Sequence, residues 1–295
     1  MKIVIAGGTG LIGQKVQALL VGAGHEVRLL VRTPRGTGDI LWHPERGDLS
    51  PGAIEWADGV ISLNGAPLTR FPWTRAYRRA ILQSRTAATA LIARTIDSLD
   101  HPPRVWLSAS AVGLYGDRPG ELLTEESSRG TGFLADVVAA WEAAAAPAGG
   151  STRLVLARTG VVLGPGAMAP LVKLARWGLG GRLGTGRQYW PWIALADEAA
   201  AIVHLVTASA LTGPVNLASP VPATANDITR TLARTLHRPH VVPVPAWALR
   251  ALLGDAARDL LLADQHVLPQ RLTTEGTFQF TGIDLPQVIR DMVKS

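Results

Sequence analysis

Short apolar runs alternate with longer amphipathic stretches through the first half of the chain. Ile3–Ala6 is an unbroken apolar run that ends at glycines, the pattern of a strand buried on both faces. Leu11–Gly22 follows with apolar residues at 11, 12, 16, 19 and 20, a helical spacing. Val27–Val31, Gly59–Leu63, Val105–Ser108 and Arg153–Ala157 predict further strands. Thr74–Leu99 and the alanine-rich Phe133–Ala146 predict helices between them. Strands alternating with helices imply a parallel sheet covered on both faces. Right-handed crossovers then make it doubly wound, a Rossmann arrangement of the α/β class.

After Gly164-Pro165-Gly166 the rhythm changes. Met168–Gly178 predicts a helix, and residues 180–186 form a glycine-rich loop. Asp197–Ala208 predicts a helix that returns to the first domain. Proline-punctuated elements follow from Pro220, with helices near 224–236, 246–253 and 284–293. The expected organisation is a Rossmann domain over 1–165, rejoined by 192–210. A smaller C-terminal α/β substrate or lid domain over 166–295 covers the carboxyl edge of its sheet.

Composition narrows the function classes. Hydrophobic residues make up 47% and charged residues 18%, which is core-forming and argues against disorder. No apolar run reaches the ~18–20 residues of a membrane span. The apolar start is shorter than the ~7–15 residues of a secretory signal core. A cytoplasmic protein without a membrane partner is therefore expected. The absence of cysteine excludes disulfides, thiolate zinc sites and thiol nucleophiles. The seven histidines show no HxH or HExxH spacing, and His237 and His240 flank a predicted turn, so no metal site is expected. Net charge is +6, and 25 of the 29 basic residues are arginine, scattered without a basic run. Part of this excess suits an anionic cofactor or substrate. With no stacking motif or recognition-helix pattern, no nucleic-acid partner is expected.

The candidate chemistry begins at Gly7-Gly8-Thr9-Gly10-Leu11-Ile12-Gly13, between a predicted strand and a predicted helix. One glycine allows the tight turn, one lets the backbone approach a pyrophosphate, and one allows close helix–strand packing. The helix N-terminus adds unpaired N–H groups and its dipole. The second strand then ends Leu30-Val31-Arg32-Thr33. An acidic residue there would bind a ribose 2′-hydroxyl, whereas Arg32 suits a 2′-phosphate and favours NADP(H). The alternative for Arg32 is a solvated strand-end cation.

At these residues the sequence resembles an extended short-chain dehydrogenase/reductase. Ser108-Ala109-Ser110-Ala111-Val112-Gly113-Leu114-Tyr115-Gly116-Asp117, Trp141-Glu142-Ala143-Ala144, Arg158-Thr159-Gly160-Val161-Val162-Leu163-Gly164, Gly184-Thr185-Gly186-Arg187-Gln188 and Val267-Leu268-Pro269 narrow the likeness. Together they resemble atypical "epimerase family" proteins, related to NAD-dependent epimerase/dehydratases and carrying a C-terminal domain of unknown function. The resemblance implies that Leu63 and Gly65 line the adenosine side, and that Arg85 reaches a cofactor phosphate or ribose or else lies on a helix surface. It also implies that Ser108, Ala109 and Ser110 sit near a nicotinamide, with Gly160 and Val161 bordering its carboxamide. It implies a small-molecule substrate, a sugar nucleotide or a carbonyl compound, and leaves monomer and homodimer open. Two segments depart from the pattern. Leu63-Asn64-Gly65-Ala66 stands for Leu-Ala-Gly-Glu, and Trp192-Ile193-Ala194-Leu195-Ala196-Asp197 for Trp-Ile-His-Ile-Asp-Asp.

Active members of that class use a tyrosine as general acid/base and a lysine four residues later, whose charge lowers the tyrosine pKa. No tyrosine here has a lysine at +4, and the matching helix carries Phe133 and Val137. The expected catalytic residues are Ser110 and Tyr115. Tyr115 acts either as acid/base on the active-site loop or as a loop-packing aromatic. Asp117 and Glu142 are expected to brace their loop and helix. The loop 180–188 with Arg182, Arg187, Trp190 and Trp192 forms either a substrate wall or an ordered interdomain loop. Two functions remain open at this point: an NADP(H)-dependent oxidoreductase or sugar-nucleotide epimerase, and a non-catalytic NADP(H) sensor or interaction protein.

Overall fold

The computed structural model describes residues 1–150 and 152–294. Seven strands form one parallel sheet: β1 (Lys2–Ala6), β2 (Glu26–Val31), β3 (Asp39–Leu41), β4 (Gly59–Ser62), β5 (Val105–Ala111), β7 (Arg153–Thr159) and β10 (Gly213–Leu217). Their spatial order is β10-β7-β5-β4-β1-β2-β3. Helices α1 (Leu11–Gly22) and α6 (Leu195–Thr207) cover one face. There Ile3, Ile5, Ile61, Leu107, Val155 and Val215 pack against Val16, Leu20, Ile202 and Leu205. Helix α3 (Arg75–Asp97) covers part of the other face, with Val4, Leu30, Val60 and Trp106 against Ala88, Ile92 and Ile96. Helix α4 (Phe133–Ala145) lies beside α3, and the Trp141 indole N–H donates to Thr89 at 2.9 Å. Successive strand residues feed opposite faces and both faces are covered, so the strands read as apolar runs. The Rossmann expectation therefore holds.

Two of the seven strands have no predicted counterpart. β3 has only three residues, too few to show a period, and sits at a sheet edge. β10 contains Pro214 and Asn216, which break its apolar pattern. Proline is tolerated because β10 is the opposite edge and pairs only with β7. Short α2 (Pro51–Glu55) leads into β4.

A second core collects residues from the C-terminal half: Met168, Ala175, Trp190, Trp192, Ile228, Leu232, Leu249 and Ile289. It is built from α5 (Ala169–Arg176), α7 (Ala225–Thr235), α8 (Ala246–Leu253) and α10 (Leu285–Lys294). Two small parallel pairs stitch the halves together: β8 (Val161–Leu163) with β9 (Trp192–Ala194), and β6 (Leu122–Leu123) with β11 (His266–Val267). Trp190 and Trp192 are buried and donate their indole N–H groups to Leu261 and Val221 carbonyls. They are core residues, which fits the ordered-loop alternative rather than a substrate wall. Asp197, beside the altered Ala194 and Ala196, accepts from the Thr281 and Gly282 N–H groups and holds the tail before α10. Gly282 packs against Ala194, since a Cβ there would lie 2.5 Å from the Ala194 Cβ.

One buried acid stands out among these elements. Glu198 is fully buried in the first turn of α6 and accepts from the Thr159 hydroxyl at 2.8 Å, while its other oxygen has no hydrogen-bond partner among the described residues. Burial pushes its pKa from the ordinary 4.5 up to about 8. The folded protein thus keeps a proton that the unfolded chain releases. Stability falls as pH rises from about 4.5 to about 8, and this group adds no further pH dependence outside that window. Glu198→Gln carries no such dependence. Its melting temperature relative to the parent is expected to climb between pH 5 and pH 8, and a constant offset would contradict the assignment.

Candidate functional site

Strand β1 lies between β2 and β4, so chain order runs outward in both directions from it. The crevice beyond that switch point is where open α/β sheets bind ligands. The turn after β1, Arg32 after β2, Leu63 and Gly65 after β4, Ser108–Ser110 in β5 and Gly160 after β7 all lie at carboxyl ends of this sheet.

The glycine turn has the geometry its chemistry needs. Gly7 has φ +82°, and a Cβ on it would lie 2.8 Å from the Leu63 carbonyl carbon, so the turn rests on the end of β4. A Cβ on Gly13 would lie 2.3 Å from the Gly7 oxygen, so only glycine lets α1 come this close. Gly10 differs: a Cβ there would meet only the Gly7 oxygen at 3.4 Å, and the residue is exposed. No side chain caps α1 and no acid lies in its first turn. The Leu11 and Ile12 N–H groups have no acceptor among the described residues. Thr9 and Leu11 are exposed beside them. An open concave backbone with free N–H groups and a helix dipole fits a pyrophosphate.

Arg32 is exposed and has no hydrogen bond or ion pair among the described residues. It is a free cation at the end of β2. Arg85 is not a surface residue. Its guanidinium donates to the Ala66 and Ile81 carbonyls, lies over the Trp141 ring, and sits where a Cβ on Gly65 would come within 3.1 Å. Burial without a carboxylate partner lowers its pKa to about 10. Ser84 and Asn64 tie down the same loop. Arg85 therefore shapes the Leu63–Ala66 floor of the crevice.

The β5 serines face inward. Ser108 is fully buried, Ala109 is half-exposed, and Ser110 is buried and donates to Glu142 Oε1 at 2.6 Å. Ser110 and Arg158 are register partners on β5 and β7, so both side chains meet Glu142 of α4. Arg158 grips that carboxylate with two bonds, at 2.8 and 3.0 Å. It also donates to the Tyr115 hydroxyl at 3.0 Å, which donates to Asn216 Oδ1 at 2.8 Å. Glu125 accepts from the Asn216 N–H. A polar chain thus crosses the molecule from β5 to β10.

Of the two readings of Tyr115, this geometry favours the packing aromatic over the acid/base. Its side chain is sealed in a small core with Val112, Leu123, Ala218 and Val267. Burial raises its pKa, against the lowering pull of Arg158. Gly160 and Val161 are restricted too: their N–H groups donate to Leu217 and Pro191 carbonyls. Asp117 braces its loop by accepting from the Asp264 N–H. Glu142 braces two strands rather than its own helix. Arg158, Glu125 and Asn216 were not among the candidate residues. The available signal was a charged residue closing the apolar run Leu154–Ala157, opposite an acid on the alanine-rich helix.

Family models match two parts of the chain. Residues 3–218 match the NAD dependent epimerase/dehydratase family, and residues 244–292 match a domain of unknown function, DUF1731. The chain belongs to the NAD dependent epimerase/dehydratase family. It is 39% identical over 282 residues to epimerase family protein MT2273 of Mycobacterium tuberculosis, covering 94% of this chain and 93% of that protein. It is 37% identical over 301 residues to epimerase family protein SDR39U1 of Mus musculus, covering 99% and 100%. The crystal structure of human SDR39U1 with NADPH superposes with a TM-score of 0.90 at 32% identity, covering both chains fully. A UDP-glucose 4-epimerase with NAD from Thermus thermophilus shares the fold, with a TM-score of 0.77 at 18% identity.

The Arg158–Glu142 pair makes a stability prediction. Both side chains are largely buried. Arg158→Met leaves Glu142 without its counter-charge, and should cost about 3–5 kcal/mol in urea unfolding. Adding Glu142→Gln should recover most of that loss. An equal loss in single and double variants would mean that the pairing is not what holds the two strands and α4 together.

Proposed function

We propose that this chain binds NADP(H) across the carboxyl edge of its sheet and carries out epimerase/dehydratase-type oxidoreduction on a sugar nucleotide or another carbonyl compound. The observation that carries the reading is the pairing of an open, uncapped helix start with a free arginine on the neighbouring strand end. The Leu11 and Ile12 N–H groups would hold the pyrophosphate, with bare Gly10 giving it room, and Arg32 the 2′-phosphate. Thr9 and Leu63 would flank the adenosine, with Gly65 and Arg85 forming the floor. When bound, the dinucleotide supplies or accepts a hydride.

The chain's own residues would bind, orient and move a proton. Ser110 is the hydroxyl at the end of β5, and it donates a hydrogen bond to Glu142 at 2.6 Å. Arg158 grips the Glu142 carboxylate, which in turn orients Ser110. Ser110 would hand its hydrogen bond to a substrate oxygen, with Ala109 beside it. Polar room for a substrate lies at the start of α4. A cavity of about 460 Å³ there is lined by Asp117, Thr131, Arg258, Asp259 and Gln265. Such a lining suits a polyhydroxyl group.

A second reading has its own observation. Phe133 and Val137 occupy the places of the acid/base pair, and Tyr115 is sealed. A protein built this way would bind the dinucleotide without turnover and act as a sensor or interaction protein. A broad panel of carbonyl and sugar-nucleotide substrates with NADPH separates the two. Turnover that Ser110→Ala lowers at least 100-fold supports catalysis, and binding with no turnover on any substrate supports the sensor.

The binding claim has a sharper test. Calorimetry should find NADPH bound more tightly than NADH, with Arg32→Ala erasing the difference by weakening NADPH about tenfold or more. Equal affinities in the parent would contradict the assignment. Gly10→Ala should leave the melting temperature nearly unchanged while weakening both dinucleotides, because its Cβ has room in the fold but faces the ligand side. Gly13→Ala should instead destabilise the fold itself.

A further inference from the structure

The positive charge of this protein is unevenly placed. The whole chain has net charge +6. Residues 168–254 alone hold eight cations (Lys173 and seven arginines) against three acids, a net of +5. Two of those acids, Asp197 and Glu198, are buried, and Asp227 is engaged in the cap of α7. The eight cations are all exposed, and among the described residues none forms a salt bridge.

Four of them surround an apolar projection. Trp177-Gly178-Leu179 follows α5, and Gly180 pairs with His240 while its carbonyl accepts from the Val241 and Val242 N–H groups. A Cβ on Gly178 would touch Pro239 at 3.8 Å. Trp177 and Leu179 therefore adjoin Val241 and Val242. Their exposures are 76%, 53%, 71% and 37%, which are values for protruding side chains and not for the walls of a groove. Lys173 and Arg176 lie within one turn before Trp177 on α5. Arg234 ends α7, which packs against α5, and Arg238 leads directly into Pro239.

We propose that this face is a docking surface for an anionic phospholipid bilayer. Unpaired cations supply attraction to the headgroups, and Trp177, Leu179 and Val241 enter the boundary between headgroup and acyl chains. Adhesion of this kind needs no membrane-spanning helix, and among the described residues no helix is long and apolar enough to cross a membrane. A second copy of the chain fits poorly, because a two-fold contact would press the same unpaired cations against each other. Nucleic acid would satisfy the cations but offers no apolar phase to valine and leucine. The carboxyl-edge crevice is made of other segments, so this proposal stands apart from the dinucleotide reading.

The full-length protein is mixed with vesicles of phosphatidylcholine alone and of phosphatidylcholine with 30% phosphatidylserine, and sedimented. Binding is expected only to the phosphatidylserine vesicles, with a blue shift of tryptophan emission and release at 0.5 M salt. The double variant Arg176→Ser/Arg238→Ser should weaken binding about 25-fold, roughly fivefold per cation. Trp177→Ser should reduce the blue shift and the binding together. Melting temperature and NADPH affinity, which this face does not touch, should stay unchanged in both variants and so report that they fold. The proposal is overturned if phosphatidylserine vesicles do not bind the protein at low salt, or if both variants bind as the parent does. It is equally overturned if Trp177→Ser abolishes a dimer, or if duplex RNA binds this face and vesicles do not.

Discussion

The contact between Gly13 and Gly7 governs the geometry of the whole crevice. With no side chain at either position, α1 begins almost against the backbone of the turn that precedes it. The same turn rests on the end of β4 through Gly7. The helix N-terminus is therefore aimed over the switch point between β1 and β4, and Gly10 is left as the open position. A methyl group at residue 13 would push the helix away, and the free N–H groups of Leu11 and Ile12 would no longer face the crevice. Arg32 gains its meaning from this arrangement, since it closes the neighbouring strand at the same edge of the sheet.

Below that edge the structure is organised by buried polar groups rather than by an exposed acid/base pair. Glu142 and Arg158 form a two-bond ion pair that joins α4 to β7 and fixes Ser110 from the side of the helix. Tyr115 and Asn216 extend the chain to the edge strand β10. A buried pair of this kind contributes little net stability but is costly to break, so its effect is to hold one arrangement. The dinucleotide cradle and the polar chain thus have different physical origins. One is a shape made by missing side chains, and the other is a charge network that specifies which strands and helices meet.

The parts that sequence pattern revealed are those whose burial leaves a period. Strands β1, β2, β4, β5 and β7 are covered on both faces and appear as apolar runs. Helices α3, α4 and α7 carry apolar stripes, and Thr74 and Thr224 cap α3 and α7. Three-residue β3 leaves no period, and Pro214 and Asn216 hide β10. The site was partly legible for the same reason: glycine spacing is local, while side-chain partners are not. Tyr115 sits in a glycine-bounded stretch that resembles an open loop. In the fold a Cβ on Gly130 would lie 1.9 Å from the Tyr115 carbonyl oxygen, so the chain around 130 lies directly on it. That contact joins residues far apart in sequence, and no local pattern announces it. Trp190 and Trp192 follow a glycine-rich loop, yet their partners Leu261 and Val221 draw them into the C-terminal core.

The central claim is that one dinucleotide phosphate group lies on the bare helix start while another meets the strand-end arginine. A crystal structure of this chain grown with NADPH tests it directly. The pyrophosphate should lie within hydrogen-bond distance of the Leu11 or Ile12 N–H groups, and the 2′-phosphate on the Arg32 guanidinium. A dinucleotide bound with its 2′-phosphate away from Arg32, or with a side chain folded over Gly10 in its place, would contradict it.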